Sequence, residues 1–278
     1  IYFDKLIKRD RKSPEANEAI NKVKEIYTAK GDPTELERVL LLYGAVIPQG
    51  ELDSLTYNNG LNHYRDQDCK GVVSDFEKYI QKFPDGIFII QANYYKAECD
   101  YKLGNMDAAF SGYSFVISKP KCEYTEQSLY RASDIAYKKQ DYIKAIEYYK
   151  LLELQAENAK TNSTAIVGLM RSYYATKSND DVVVYANKVL KIENVTEQLS
   201  SEAHYNIAQV YLSMQKLDDA QAEFKAVANS SKAEMGTESQ YQVANIFYLK
   251  KEYKQSKKLV FDLINGDGDY PYWVTKAM

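Results

Sequence analysis

Small and aromatic residues return along this chain at a nearly constant interval, and that interval restricts the fold more than any other feature. Residues 92–101 (ANYYKAECDY) overlay residues 203–212 (AHYNIAQVYL) without a gap, and the match continues to Ala109 with Tyr113 and to Ala220 with Phe224. Modest side chains recur at Gly60, Ala97, Ser133, Met170, Ala208 and Ala244, at spacings of 37, 36, 37, 38 and 36 residues. Twelve residues after each stand Val72, Ala109, Ala145, Val182, Ala220 and Ser256, and four further on Phe76, Tyr113, Tyr149, Ala186, Phe224 and Val260. A weaker copy at Lys24, Leu36 and Leu40 brings the number of units to seven. A period of this length is the mark of stacked supersecondary units.

The columns predict a pair of helices in each unit. A small residue midway along a first helix and another early in the second let the two axes approach closely. The ring one turn later fills the space beyond. Turns are expected at Gly31-Asp32, Gly104-Asn105, Gln140-Asp141 and Asn179-Asp180, and Phe83-Pro84-Asp85-Gly86 separates one pair from the next. Ordering the backbone of one unit costs roughly 1–2 kcal/mol per residue. Its few buried rings return only about 1.5–3 kcal/mol each. Each unit must therefore lean on its neighbours.

Charge and composition narrow the function. The formal charge is −3 and the pI near 5.7, which opposes nucleic-acid binding; the most basic stretch, residues 5–12 (KLIKRDRK), reads as a solvated helix end. With 45% apolar and 27% charged residues the chain folds, yet no apolar run is long enough to insert in a membrane. Three cysteines, Cys69, Cys99 and Cys122, cannot all pair, and none forms Cys-x-x-Cys. Cys69 shares a column with Met106, Tyr142, Leu217 and Tyr253, which reads as a buried, inert thiol.

On these columns the chain resembles the tetratricopeptide repeat, whose period is about 34 residues. The resemblance implies an all-α fold, a right-handed superhelical solenoid of tandem helix-turn-helix hairpins, spanning 1–278 as a single segment with a joint near 46–52. Residues 76–86 (FEKYIQKFPDG), followed by Ala92 and Tyr94, are similar to periplasmic repeat proteins of outer-membrane assembly and Tol–Pal systems, and the whole is similar to long repeat proteins of Bacteroidetes. That likeness implies a periplasmic or outer-membrane-associated protein, with the cytoplasm as the alternative. Lys24 and Met170 at small positions, and Asp100 where an aromatic is usual, depart from the pattern. Tyr2, Phe3 and Leu6 before Ser13-Pro14, and Trp273 with Ala277 at the other end, read as partial repeats of a longer chain.

Chemistry-bearing motifs are few. His63 and His204 lie on first helices about four units apart and are expected to be packing residues. No nucleophile elbow, zinc-protease motif or phosphate loop occurs, so no enzyme, cofactor or metal is expected. Asn265-Gly-Asp-Gly-Asp269 opens like a calcium loop but lacks the distal Glu, and reads as a turn.

One pattern points to binding. Tyr57, Tyr94, Tyr130, Tyr205 and Tyr241 precede the small position by three residues, and Tyr64, Tyr101, Tyr137, Tyr174 and Tyr248 follow it by four. These offsets share one helix face. Arg131, Asp134, Arg171, Asn206, Gln209 and Asn245 lie among them. By the resemblance, this face lines the concave surface of the array. Tyrosine gives contact area at low entropy cost while keeping a hydrogen-bonding hydroxyl, although tyrosine in these columns also serves packing. No first helix carries the Lys/Asn and Lys/Arg spacing of a carboxylate clamp. The reading is a non-catalytic scaffold that binds a partner peptide or helix of another protein. A glycan-binding outer-membrane uptake component and a regulatory arm of a larger enzyme are the alternatives.

Overall fold

A computed structural model describes Ile7, residues 13–266 and residues 270–277, and those residues form helices and turns without a strand. The basic stretch apart from Ile7, the partial repeat at Tyr2, Phe3 and Leu6, and residues 267–269 of the calcium-like loop lie outside them. The chain divides into two compact units, Ile1–Ala132 and Ser133–Met278. Unit one holds α1 (Pro14–Ala29), α2 (Pro33–Leu42), α3 (Gln49–Arg65), α4 (Cys69–Lys82), α5 (Ile89–Leu103), α6 (Met106–Ile117) and the start of α7 (Thr125–Lys138). Unit two holds the remainder of α7, α8 (Tyr142–Gln155), α9 (Ala159–Ala175), α10 (Asn179–Val189), α11 (Glu197–Ser213) and α12 (Leu217–Ser230). It closes with α13 (Glu234–Leu249), α14 (Tyr253–Asn265) and α15 (Pro271–Ala277).

Helices begin where a short polar side chain can take an orphan backbone N–H. Ser13 accepts from Ala16 N at 3.1 Å with Pro14 behind it, and Asp32 accepts from Glu35 N at 2.9 Å with Pro33 behind it. Asp68, Asp141, Asn158 and Thr196 cap α4, α8, α9 and α11 in the same way. Between the two helices of every hairpin one residue turns left-handed: Gly31, Gln67, Gly104, Gln140, Lys177, Gln215 and Lys251, with φ between 57° and 83°. The last hairpin but two corrects the expected turn. Asn179-Asp180 lies inside the first turn of α10, and the reversal sits at Lys177-Ser178.

Close helix approach follows the small columns. A Cβ on Gly60 would come within 2.8 Å of the Phe76 ring, so the bare backbone of α3 is what admits that ring from α4. At Met170 the small side chain is absent and the methionine is wholly buried; Gly168, two residues earlier, faces the Tyr149 ring and brings α9 onto α8. Asp100, at 1% exposure, is no packing fault: it accepts from Lys96 Nζ and Asn105 Nδ2, both at 3.0 Å. Lys96 also reaches Glu77 on α4 at 3.1 Å. The core of unit one runs without a break from Val23 through Ile47 and Leu52 to Tyr79, across the 46–52 connection.

Two polar devices tie α3, α4 and α5. Buried Asp53 accepts from the Tyr79 hydroxyl at 2.6 Å and from Ile87 N at 3.2 Å, and the same hydroxyl accepts from Phe88 N at 3.1 Å. The chain leaving the Phe83–Gly86 turn is thereby fixed to α3 and α4. The second device overturns the reading of Cys69 as an inert thiol. Cys69 at the start of α4 is disulfide-bonded to Cys99 in α5, with Cα atoms 4.9 Å apart, while Cys122 is free and half-buried.

Candidate interaction face

The tyrosine columns separate by depth. In unit one Tyr57 is only 7% exposed and stacks on Phe88 with centroids 4.2 Å apart, so it belongs to the core and offers no surface. Its phenol is pushed up to about 12, chiefly by burial. Tyr64 lies against Tyr95 at 4.4 Å, and Tyr94 against Tyr124 at 4.6 Å. Arg131 lays its guanidinium 4.4 Å from the Tyr101 centroid, 5.7 Å from that of Tyr130, and 3.6 Å from Glu98. The Tyr113 hydroxyl donates to the same carboxylate at 2.5 Å. Burial first, and then Glu98, raise the phenols of Tyr94 and Tyr113 well above the ordinary range.

Unit two presents a more open strip. Tyr137 is half-buried and meets Tyr142 in a T-shaped pair with centroids 5.5 Å apart, and Tyr174 and Tyr248 are 40% and 60% exposed. Arg171 is held by Glu202 of the next first helix through two bonds of 2.7 Å. Asp134 takes Lys138 at 2.7 Å. Gln209 donates to the Tyr205 hydroxyl at 2.8 Å, while burial and Glu238 raise that phenol. Tyr241 packs against Trp273 at 5.7 Å, and Asn245 is half-buried. Asn206, expected on the surface, is 5% exposed and lies inside.

The charges of this strip are thus matched within it, leaving rings, hydroxyls and amides as its outward chemistry. Such groups bind by contact area and neutral hydrogen bonds. Each histidine faces carboxylates of its own hairpin: His63 lies 2.9 Å from Asp68 and 3.5 Å from Asp75, and His204 lies 2.6 Å from Glu223. Sequence offsets missed Tyr95, Tyr124, Glu98 and Glu202, which complete the two clusters from neighbouring columns. Only the doubling of Tyr94 by Tyr95 signalled any of them.

No known family model and no curated protein sequence matches the chain. Solved structures do match. The apo form of RapI is similar over 100% of this chain and 80% of its own, with 14% identity and a TM-score of 0.53. YrrB, described as a tetratricopeptide protein with an unusual peptide-binding site, is similar over 72% of this chain and 96% of its own, with 14% identity and a TM-score of 0.51. The fold is that of a tetratricopeptide array. A tetratricopeptide repeat protein from Parabacteroides merdae is similar over 94% of this chain, with 15% identity and a TM-score of 0.40.

Proposed function

We propose that this tetratricopeptide-type array is a non-catalytic scaffold, and that the first-helix face of unit two holds a peptide or helix of another protein. The observation that carries the reading is the run of partly exposed Tyr137, Tyr174 and Tyr248 on α7, α9 and α13, beside charges already matched as Arg171–Glu202. An occupant with apolar or aromatic side chains and unpaired backbone amides would suit such a surface, because phenols supply both area and hydrogen bonds. The peptide-binding site of YrrB shows that a protein of this fold can take a peptide. Replacing Tyr137, Tyr174 and Tyr248 together by Ala should lower partner capture at least tenfold while far-UV circular dichroism stays unchanged. Undiminished capture by that variant would sink the reading.

The Cys69–Cys99 disulfide supports a compartment as well. Disulfides persist where the surroundings are oxidising, which favours the periplasmic or outer-membrane-associated placement over the cytoplasm. Among the described residues no helix is long and apolar enough to cross a membrane.

A further inference from the structure

A second surface lies on the other side of α13. Residues 240, 243 and 247 stand roughly a third of a turn around that helix from Tyr241, Asn245 and Tyr248, and they form the base of a cleft of about 570 Å³ between α12 and α14. Its floor is apolar: Ala228, Val243, Phe247, Leu259 and Leu263. Its rims are charged, with Lys225 on α12 and Lys258 and Asp262 on α14. The cleft continues past Ala228 and Asp262 into a space of about 460 Å³ that adds Lys232.

Two other lysines of unit two are matched between hairpins, Lys188 by Glu153 and Lys250 by Asp218, each at 2.7 Å. Lys225, Lys232 and Lys258 have no carboxylate partner among the described residues, and the Lys225 ammonium instead stands 5.4 Å from the Phe247 centroid. Among the described residues, three lysines thus line the two spaces beside one carboxylate, Asp262. An apolar floor between cationic rims fits a segment with the opposite rims. We infer that the α12–α14 cleft docks an acidic amphipathic helix of a partner protein, with apolar side chains on the floor and Glu or Asp against Lys225, Lys232 and Lys258. The length available matches: α14 has 13 residues, or about 20 Å of helix. Apolar burial would supply adhesion, and charge complementarity the choice of partner and the speed of encounter.

The test is fluorescence anisotropy with a labelled amphipathic peptide bearing leucines on one face and glutamates on the other, and with its lysine counterpart. The glutamate peptide should bind, more weakly as salt rises, and the lysine peptide should not. Lys225→Glu with Lys258→Glu, both on exposed positions, should weaken the glutamate peptide at least tenfold and admit the lysine peptide. The Tyr137, Tyr174 and Tyr248 triple variant should bind the glutamate peptide as before, which separates this cleft from the first-helix face. Failure of the glutamate peptide to bind, or equal binding by the charge-reversed variant, overturns the inference. So does self-association of the chain that the charge reversal abolishes, since the occupant would then be a second copy.

Discussion

At the scale of single residues, the tyrosines divide into those that build and those that face outward, and ionisation tells them apart. A free phenol ionises near pH 10. Tyr57 is held to about 12, and Tyr94, Tyr113 and Tyr205 are raised further, in each case first by burial. The folded state thus prefers the neutral phenol. The stability this lends is complete below about pH 10 and disappears as pH rises through the folded values. An absorbance titration at 295 nm should show exposed phenols ionising first, with the buried group ionising only as far-UV helix signal is lost. A single titration step that leaves the helices intact would contradict this placement. Sequence offsets placed the tyrosines along one helix face but carried no depth. Tyr57 and Tyr64 sit two turns apart on one helix, yet only the first lies beneath the Phe88 ring.

At the scale of elements, hairpin joints show what was and was not legible. Gly31 and Gly104 announce left-handed turns because glycine adopts them at no steric cost, whereas Gln67, Gln140, Lys177, Gln215 and Lys251 occupy the same turn conformation without that signal. Helix number and pairing were legible from the columns, since each ring needs a small partner. The bond between Cys69 and Cys99 was not. Thirty residues separate them, and Cys69 shares its column with ordinary packing residues. Closing a loop of that length lowers the entropy of the unfolded chain by the equivalent of about 3–4 kcal/mol. Changing both cysteines to Ser, or adding reductant, should lower the melting temperature of the chain by several degrees, and the double variant should no longer respond to reductant. An unchanged melting temperature in both cases would argue against the bond.

At the scale of the molecule, a chain of hairpins that lean on their neighbours loosens first where neighbours are fewest. Trp273 is the sole tryptophan and lies in α15, a helix of only seven residues that packs on α13 and α14. In urea its fluorescence should change at lower concentration than the far-UV helix signal; superimposed curves would mean one all-or-none unit. The number of hairpins was readable from period alone, while the division at Ala132 and Ser133 has no counterpart in the repeat. The cross-link has a last consequence. A protease that nicked the exposed Pro84-Asp85 turn would cut the polypeptide between Cys69 and Cys99, yet both fragments would remain one covalent body. Cleavage there would be silent on a non-reducing gel and visible only after the sulfur bridge is opened.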